Sequence, residues 1–574
     1  MMTAPIVREP FELQTLPELF KKSALLRPHR KALRKKKDNI WREYDYGELL
    51  ASITKITAFL IEKNVIKGDR IGILGENSPE WIITCMAIQW IAGIVVPLDI
   101  RSKTFEQEQI IQHSGMKILF ADRKFIQPME NHFQGLFVCL DDSEVDLSVS
   151  DIVSTTGPVT TEPSTKLDDP AMILYTSGTT GNPKGVVLTH RNIASNINSM
   201  YQMVLFGEED SFFSVLPISH AYEYTAGNLL PLTVGASITY SNLFKPKEMM
   251  EDLRDTEPTI MLAVPLLLEK FLTGVYKKIA SSPQHVKGLF QCIKTCAVSL
   301  NFIRSGYGGR LFYKRLRRKI GFGKLRFFAS GGAQLSPKLQ HGMEELGFTI
   351  IQGYGLTETS PVVTLTPPSH TKAGSVGLPL PGVDVGIEDK NNDGIGEIVV
   401  QGPNVMKGYY RNKEATMNTL LADGSLLTGD LGYIDNEGFL FITGRRKSEI
   451  ITRGGQNIYP EEVESIMLES PFINEILVVK GLNNRTGDEE VHAIIYPNHE
   501  TLCECFEMKN IEDVSEECIV QILRQEIDER CRQLADYKKI RSFTVRNKEF
   551  PKTATNKIKR YLFDGNIKNK GKSG

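Results

Sequence analysis

The sequence predicts an α/β protein in two unequal parts, a large multi-subdomain N-terminal region and a small α+β C-terminal domain. Three observations carry this expectation. At 574 residues the chain exceeds the length at which a single hydrophobic core keeps growing, so two or more domains are expected. From about residue 45 to 430, segments of helical periodicity alternate with short β-branched runs, the pattern of helices packed on a largely parallel sheet. Near residue 444 the polar run Gly444-Arg445-Arg446-Lys447-Ser448-Glu449 opens a compact segment with helices and strands of its own, which sets the domains at 1–443 and 444–574.

The alternation reads pair by pair. Tyr46 to Lys63 has helical spacing before the strand Arg70 to Leu74, and Lys247 to Asp255 precedes the strand Thr259 to Val264. These strands are short and apolar, as a sheet covered on both faces requires. Residues 148–168, rich in Ser, Thr, Pro and Asp, read as a surface connection to a strand at Ala171 to Tyr175. Trp81 to Leu98 carries no charge and reaches the length of a spanning helix. Gly93 and Pro97 break it, Thr84 and Gln89 interrupt it, and Ile94-Val95-Val96 reads as a buried strand after a core helix.

The composition, 41% hydrophobic and 24% charged, is that of an ordinary globular protein and argues against disorder or a fibrous repeat. Lys plus Arg number 68 against 69 Asp plus Glu, so overall charge points to neither nucleic acid nor an acidic tail. The eight cysteines are scattered; Cys292/Cys296 and Cys503/Cys505 lack the spacing of a zinc or redox motif, and reduced thiols are expected. The first ten residues lack the basic start and apolar centre of a secretory signal, so the expected place is the cytoplasm, with peripheral contact at the inner face of a membrane left open.

The segment Tyr175-Thr176-Ser177-Gly178-Thr179-Thr180-Gly181-Asn182-Pro183-Lys184-Gly185 lies between two apolar runs that read as strands. Its glycines expose backbone N–H groups, its hydroxyls add donors and Lys184 adds positive charge, a set that suits the β- and γ-phosphates of a nucleotide. It is not a Walker A loop, because Gly185 follows the lysine and the flanks are not strand then helix. Taken alone, a Gly/Ser/Thr-rich hairpin loop fits it equally well.

Downstream, in order, come Ser330-Gly331-Gly332-Ala333, Gly353-Tyr354-Gly355-Leu356-Thr357-Glu358-Thr359, Leu427-Thr428-Gly429-Asp430, Gly444-Arg445-Arg446-Lys447, Gly454-Gly455-Gln456-Asn457 and Pro551-Lys552-Thr553-Ala554-Thr555-Asn556-Lys557-Ile558. With the Ser/Gly/Thr segment, this series resembles the acyl-adenylate-forming (AMP-binding) family over roughly residues 30–565, most like its long-chain fatty acyl-CoA synthetases. The resemblance implies an AMP-forming ligase using ATP, Mg²⁺ and coenzyme A, with a large adenylate-forming domain and a small mobile C-terminal one. It implies that Thr176, Ser177, Gly178, Thr179, Thr180, Gly181 and Lys184 hold phosphates. Glu358, beside Thr357, is a hard oxygen ligand suited to Mg²⁺, and both are counted as catalytic. Tyr354, followed by Gly355, is expected to stack on adenine while Gly331, Gly332 and Ala333 admit the backbone to the base; an ordinary core tyrosine is the competing reading. Asp430 is expected to accept from the ribose hydroxyls with help from Arg445, against the plainer role of a turn residue. His220 matches a position beside the acyl carboxylate, against that of a structural histidine.

Lys557 is expected to neutralise the approach of a carboxylate to the α-phosphate and the charge that grows there. Asn556 stands where the family pattern has Gly, and Asn tolerates a positive φ better than most residues. The resemblance further implies rotation about Lys447, which withdraws the lysine loop and brings Gly454-Gly455 beside the path of the thiol arm. A basic run, Arg310, Lys314, Arg315, Arg317, Arg318, Lys319 and Lys324, reads either as a solvated helix face or as a patch for anionic lipid, coenzyme A phosphates or an acidic carrier protein. The helical excursion between Val264 and Leu325 favours long- or medium-chain acids. Three activities follow: a fatty acid–CoA ligase, an enzyme loading an acyl carrier protein, or a lipid-binding protein whose catalysis has decayed.

Overall fold

The computed structural model describes residues 8–141, 147–176, 183–242, 245–284, 287, 313–368, 370–451, 457–482, 489–508, 510–552 and 558–563. Ser177, Gly178, Thr179, Thr180, Gly181, Gly454, Gly455 and Lys557, together with Arg310, Cys292 and Cys296, lie outside them.

The local signals produce the expected elements. Asp45 accepts from the Glu48 N–H at 2.7 Å and Glu48 accepts from the Asp45 N–H at 2.9 Å, a reciprocal cap that starts the helix Tyr46–Glu62 ahead of the strand Arg70–Leu74. Lys245 precedes Pro246, which opens the helix Pro246–Thr256 before the strand Ile260–Ala263. The uncharged stretch resolves into a core helix, Pro79–Trp90, and the strand Ile94–Pro97. Trp81, Ile82 and Cys85 of that helix are fully buried against protein, and no helix among the described residues is long and apolar enough to cross a membrane.

Two large sheets form the N-terminal part. One has seven strands in the order Gly408–Tyr409, Lys184–Thr189, Pro170–Thr176, Ile94–Pro97, Arg70–Leu74, Ile118–Ala121, Leu136–Cys139. The other has nine, in the order Leu378–Pro379, Val362–Leu365, Ile350–Gly355, Phe327–Ser330, Ile260–Ala263, Ser211–Ser214, Ser237–Tyr240, Lys31–Lys37, Ile40–Asp45. Most neighbours in both are parallel, which accounts for their continuous apolar runs. A third sheet of four antiparallel strands, Asp384–Glu388, Gly396–Gln401, Leu426–Ile434 and Leu440–Arg445, adds the arm that bears Asp430. Beyond residue 444, the strands Ile473–Leu482, Glu489–Pro497 and Ser542–Val545 pack with the helices Pro460–Met467 and Glu516–Cys531 around a separate apolar cluster running from Ile450 to Ile540.

Two readings change. Residues 148–168 are not all connection: Ser148 accepts from the Asp151 N–H and Asp151 reaches back to Ser148, capping a helix over Val149–Thr155. The basic run is not one solvated face. Arg317 is buried, donates to the carbonyls of Gly347 and Leu325 at 3.1 and 2.7 Å, and lies 5.0 Å from the centre of the Phe348 ring. Lys314, Arg315, Arg318 and Lys319 remain exposed.

Candidate active site

The strands Ile260–Ala263, Phe327–Ser330 and Ile350–Gly355 run parallel in register, so Gly331 and Tyr354 emerge from the carboxyl ends of adjacent strands, where open α/β sheets bind ligands. The Gly331 N–H donates to Ala263 O at 3.2 Å, and a Cβ at Gly331 would sit 3.3 Å from the Tyr222 ring. Gly332 holds φ at +82°, a conformation few other residues adopt, and Ala333 is exposed beyond it. A Cβ at Gly355 would fall 1.8 Å from Pro361 O, so this turn admits no side chain.

Three of the expected residues meet here. Asp430 and Arg445 face one another across neighbouring antiparallel strands, and Arg445 Nε lies 2.9 Å from Asp430 Oδ1. The Tyr354 hydroxyl donates to Asp430 Oδ2 at 2.7 Å. Asp430 is only 4% exposed, and burial together with that carboxylate drives the Tyr354 hydroxyl well above its usual range, so it stays a donor. Each carboxylate oxygen has two lone-pair sites and one is used, which leaves acceptor capacity for two further hydroxyls. The Tyr354 hydroxyl is thus committed to Asp430, and the residue as a whole is 9% exposed.

A second group gathers at the mouth of the glycine- and hydroxyl-rich segment. Pro170–Thr176 and Lys184–Thr189 pair antiparallel with Thr176 opposite Lys184, so the segment joins two strands as its flanks suggested. Tyr409, on the strand next to Lys184–Thr189, donates to Glu358 Oε1 at 2.9 Å, and Lys184 Nζ lies 5.2 Å from the centre of the Tyr409 ring. Burial and the neighbouring Glu358 charge raise the Tyr409 hydroxyl above its ordinary range, so it donates throughout the neutral range. Thr357 and Glu358, both half-buried, lie in the 3₁₀ turn Thr357–Thr359, and Glu358 O accepts from the Met406 N–H at 2.8 Å. Among the described residues no cluster of three or more His, Cys, Asp or Glu side chains could cage a metal by itself. A lone Glu358 fits a Mg²⁺ whose other ligands are phosphate oxygens and water.

His220 belongs to a third group. Its Nε2 lies 2.8 Å from Asp99 Oδ2 and 2.8 Å from the Arg101 guanidinium. Asp99 Oδ1 also accepts from the Arg101 N–H at 2.9 Å. Burial alone would raise the Asp99 carboxyl, but His220 and Arg101 outweigh it and hold it at about 2. Asp99 is therefore ionised at neutral pH, and His220 Nε2 sits between this acceptor and the Arg101 guanidinium, which can only donate. Lys447 is exposed in the short turn Arg446–Ser448, and its neighbour Arg446 pairs with Glu397, which also accepts from the Gly429 N–H at 2.9 Å.

The sequence motifs do not include Tyr409, Asp99 and Arg101, because the contacts that bring them to the site are distant in the chain: Glu358 is 51 positions from Tyr409, and His220 is 119 from Arg101. Glu223, three residues after His220, was also passed over. It is fully buried, and burial, only partly offset by the Ser214 hydroxyl, pushes it up to about 8.

A family model described as AMP-binding enzyme matches residues 20–410. A long-chain-fatty-acid–CoA ligase of Mycobacterium tuberculosis, FadD15, is 31% identical over 472 residues, covering 77% of this chain and 76% of the relative. The chloroplastic long-chain-fatty-acid–[acyl-carrier-protein] ligase AEE15 of Arabidopsis thaliana is 28% identical over 570 residues, 85% of this chain and 77% of the relative. Among solved structures, ATP-bound MatB of Rhodopseudomonas palustris superposes with a TM-score of 0.75 at 25% identity, covering 96% of this chain and 98% of that one. The o-succinylbenzoate coenzyme A synthetase of Bacillus subtilis bound to AMP gives 0.73 at 26% identity, covering 96% and 99%.

Proposed function

The chain belongs to the AMP-binding enzyme family, and from that premise we propose how its residues divide the work of an ATP-dependent acid–thiol ligase. The enzyme is a fatty acid–CoA ligase. A carboxylate oxygen attacks the α-phosphorus of ATP, pyrophosphate leaves, and an acyl-adenylate forms. The sulfur of coenzyme A then attacks the acyl carbonyl carbon, AMP leaves with the bonding pair, and the thiol proton passes to solvent.

Asp430, steadied by Tyr354 and Arg445, holds the ribose hydroxyls, and the Tyr354 ring with Gly331, Gly332 and Ala333 receives the base. Thr176, Lys184 and the intervening Ser177 to Gly181 take the β- and γ-phosphates. Glu358, oriented by the Tyr409 hydroxyl, holds Mg²⁺, which when bound offsets the phosphate charge. His220, held between Asp99 and Arg101, lines the place of the acyl carboxylate. Lys557 neutralises charge at the α-phosphate during adenylation. The segment 444–574 then turns about Lys447 and brings Gly454-Gly455 to the thiol.

The convergence of Tyr354, Asp430 and Arg445 at the carboxyl ends of parallel strands supports this reading most directly. Long- or medium-chain acids are the proposed substrates. The test is release of AMP from ATP with straight-chain acids from acetate to stearate, each with and without coenzyme A. Peak turnover at twelve or more carbons, with thioester formed only when coenzyme A is present, is expected; turnover confined to acetate or aryl acids would overturn the proposed substrate.

A second acceptor is supported by the likeness to the acyl-carrier-protein ligase and by the exposed cations Lys314, Arg315, Arg318 and Lys319, which suit an acidic partner or anionic lipid. Adenylation with poor use of free coenzyme A, but good use of acyl carrier protein, would favour it.

A further inference from the structure

The chain on either side of the lysine loop is tied to the C-terminal part, through Lys552 to the strand Ile473–Leu482 and through Arg560 to the helix Pro460–Met467. Lys552 bridges to Ile558 and pairs with Glu475 and, at 2.9 Å, with Glu549. Lys559 N–H donates to Pro551 O at 2.9 Å, and Arg560 pairs with Glu464 and Glu461. Lys559 points elsewhere: its Nζ lies 3.4 Å from Oε1 of Glu106, which is 453 positions away in the first turn of the helix Thr104–Ser114. Both side chains are largely covered, 19% and 31% exposed, so solvent screens the pair less than an ordinary surface pair.

What Glu106 stands beside gives this contact its meaning. Glu106 Oε2 accepts from the Lys103 N–H at 2.9 Å, which fixes the carboxylate on the end of its helix and leaves Oε1 for Lys559. The next residue, Gln107, is buried and donates through Nε2 to Asp99 O at 3.0 Å. Asp99 is the residue that holds His220. Within two consecutive residues, one helix end therefore binds the support of the acyl-carboxylate site and the cation two places beyond Lys557.

We propose that Glu106 and Lys559 form a positioning pair that seats the C-terminal segment against the His220 side of the site for adenylation, and that must part before thioester formation. The pair rests on the roles proposed above for Lys557 and for rotation about Lys447. Neither side chain touches the reacting atoms, so the predicted signature is a split between the two half-reactions.

The experiment uses the full chain with dodecanoate, ATP and Mg²⁺ for adenylation, read as pyrophosphate release, and presynthesised dodecanoyl-adenylate with coenzyme A for the thioester step. Glu106→Gln keeps an amide oxygen for the Lys103 N–H, so the helix cap and the melting temperature should hold. Both Glu106→Gln and Lys559→Ala should slow adenylation about two- to fivefold, the scale of a partly covered ion pair. Thioester formation should be unchanged or faster. The double variant should be no slower than either single one, and Lys559→Arg should keep most of the rate. Equal losses in both half-reactions, or losses that multiply in the double variant, would overturn the pair while leaving the ligase reading intact. A wild-type enzyme that releases no pyrophosphate with any acid of the graded panel would overturn that reading and the pair with it.

Discussion

Replacing Tyr354 with Phe removes one hydroxyl and leaves the ring. The lost bond is 2.7 Å long and ends on a carboxylate that is 4% exposed, so water cannot take its place without opening the strand pair. Hydrogen bonds to charged groups contribute about 1.5–3 kcal/mol. At about 1.4 kcal/mol per factor of ten, that corresponds to roughly ten- to a hundredfold in the use of ATP. The lower part of this range is expected, because Arg445 still holds Oδ1 although its own side chain is 47% exposed. The assay is kcat/KM for ATP in acid-dependent pyrophosphate release, run alongside 2′-deoxy-ATP. The wild type should prefer ATP, Asp430→Ala should lose the preference, and Tyr354→Phe should fall between them. If Tyr354→Phe left kcat/KM within twofold and kept full preference for ATP, the hydroxyl would not be orienting Asp430 and the ribose assignment would fail.

Lys557→Ala should slow adenylation about 10²–10³-fold, the effect of losing one transition-state charge contact, while presynthesised acyl-adenylate is still converted to thioester; equal loss in the two steps would contradict its role. Tyr409→Phe should raise the Mg²⁺ concentration needed for half-maximal rate by several-fold, since Glu358 loses the donor that fixes Oε1, and an unchanged requirement would separate Glu358 from the metal. Glu223 yields a pH prediction. Its folded-state carboxyl is raised to about 8 from an ordinary 4.5, so between those values the unfolded chain binds fewer protons than the folded one. Stability therefore falls as pH rises through that window, by about 1.4 kcal/mol per pH unit. Glu223→Gln should flatten the fall between pH 5 and 8 in thermal melts, and a slope identical to wild type would show that Glu223 titrates normally.

Much of the architecture is legible in the sequence because local and global signals agree. The capped helix at Tyr46 and the buried strand at Arg70 need only periodicity and a terminal carboxylate. Likewise the Gly/Ser/Thr segment between two apolar runs had to join strands. The helix Val149–Thr155 was legible too, since Ser148 and Asp151 form a capping signature that the surrounding Ser, Thr and Pro obscured. Arg317 was not: charge in a basic run predicts exposure, and only the carbonyls of Gly347 and Leu325 and the Phe348 ring show why it is buried. In the site, Tyr354, Asp430 and Arg445 sit in recognisable phrases, whereas Asp99 and Arg101 meet His220, and Tyr409 meets Glu358, only after folding. The Glu106–Lys559 pair is the extreme case, because no local pattern can signal a contact across 453 positions.

If a carboxylate attacks the innermost phosphorus of ATP, the nucleotide left behind is AMP, so the identity of that product decides whether this chemistry occurs. Purified protein with Mg²⁺, ATP and a long-chain fatty acid should yield AMP and pyrophosphate in equal amounts, none without the acid, and a matching quantity of thioester when coenzyme A is added. Formation of ADP and phosphate, or no acid-dependent cleavage across the whole panel, would contradict it.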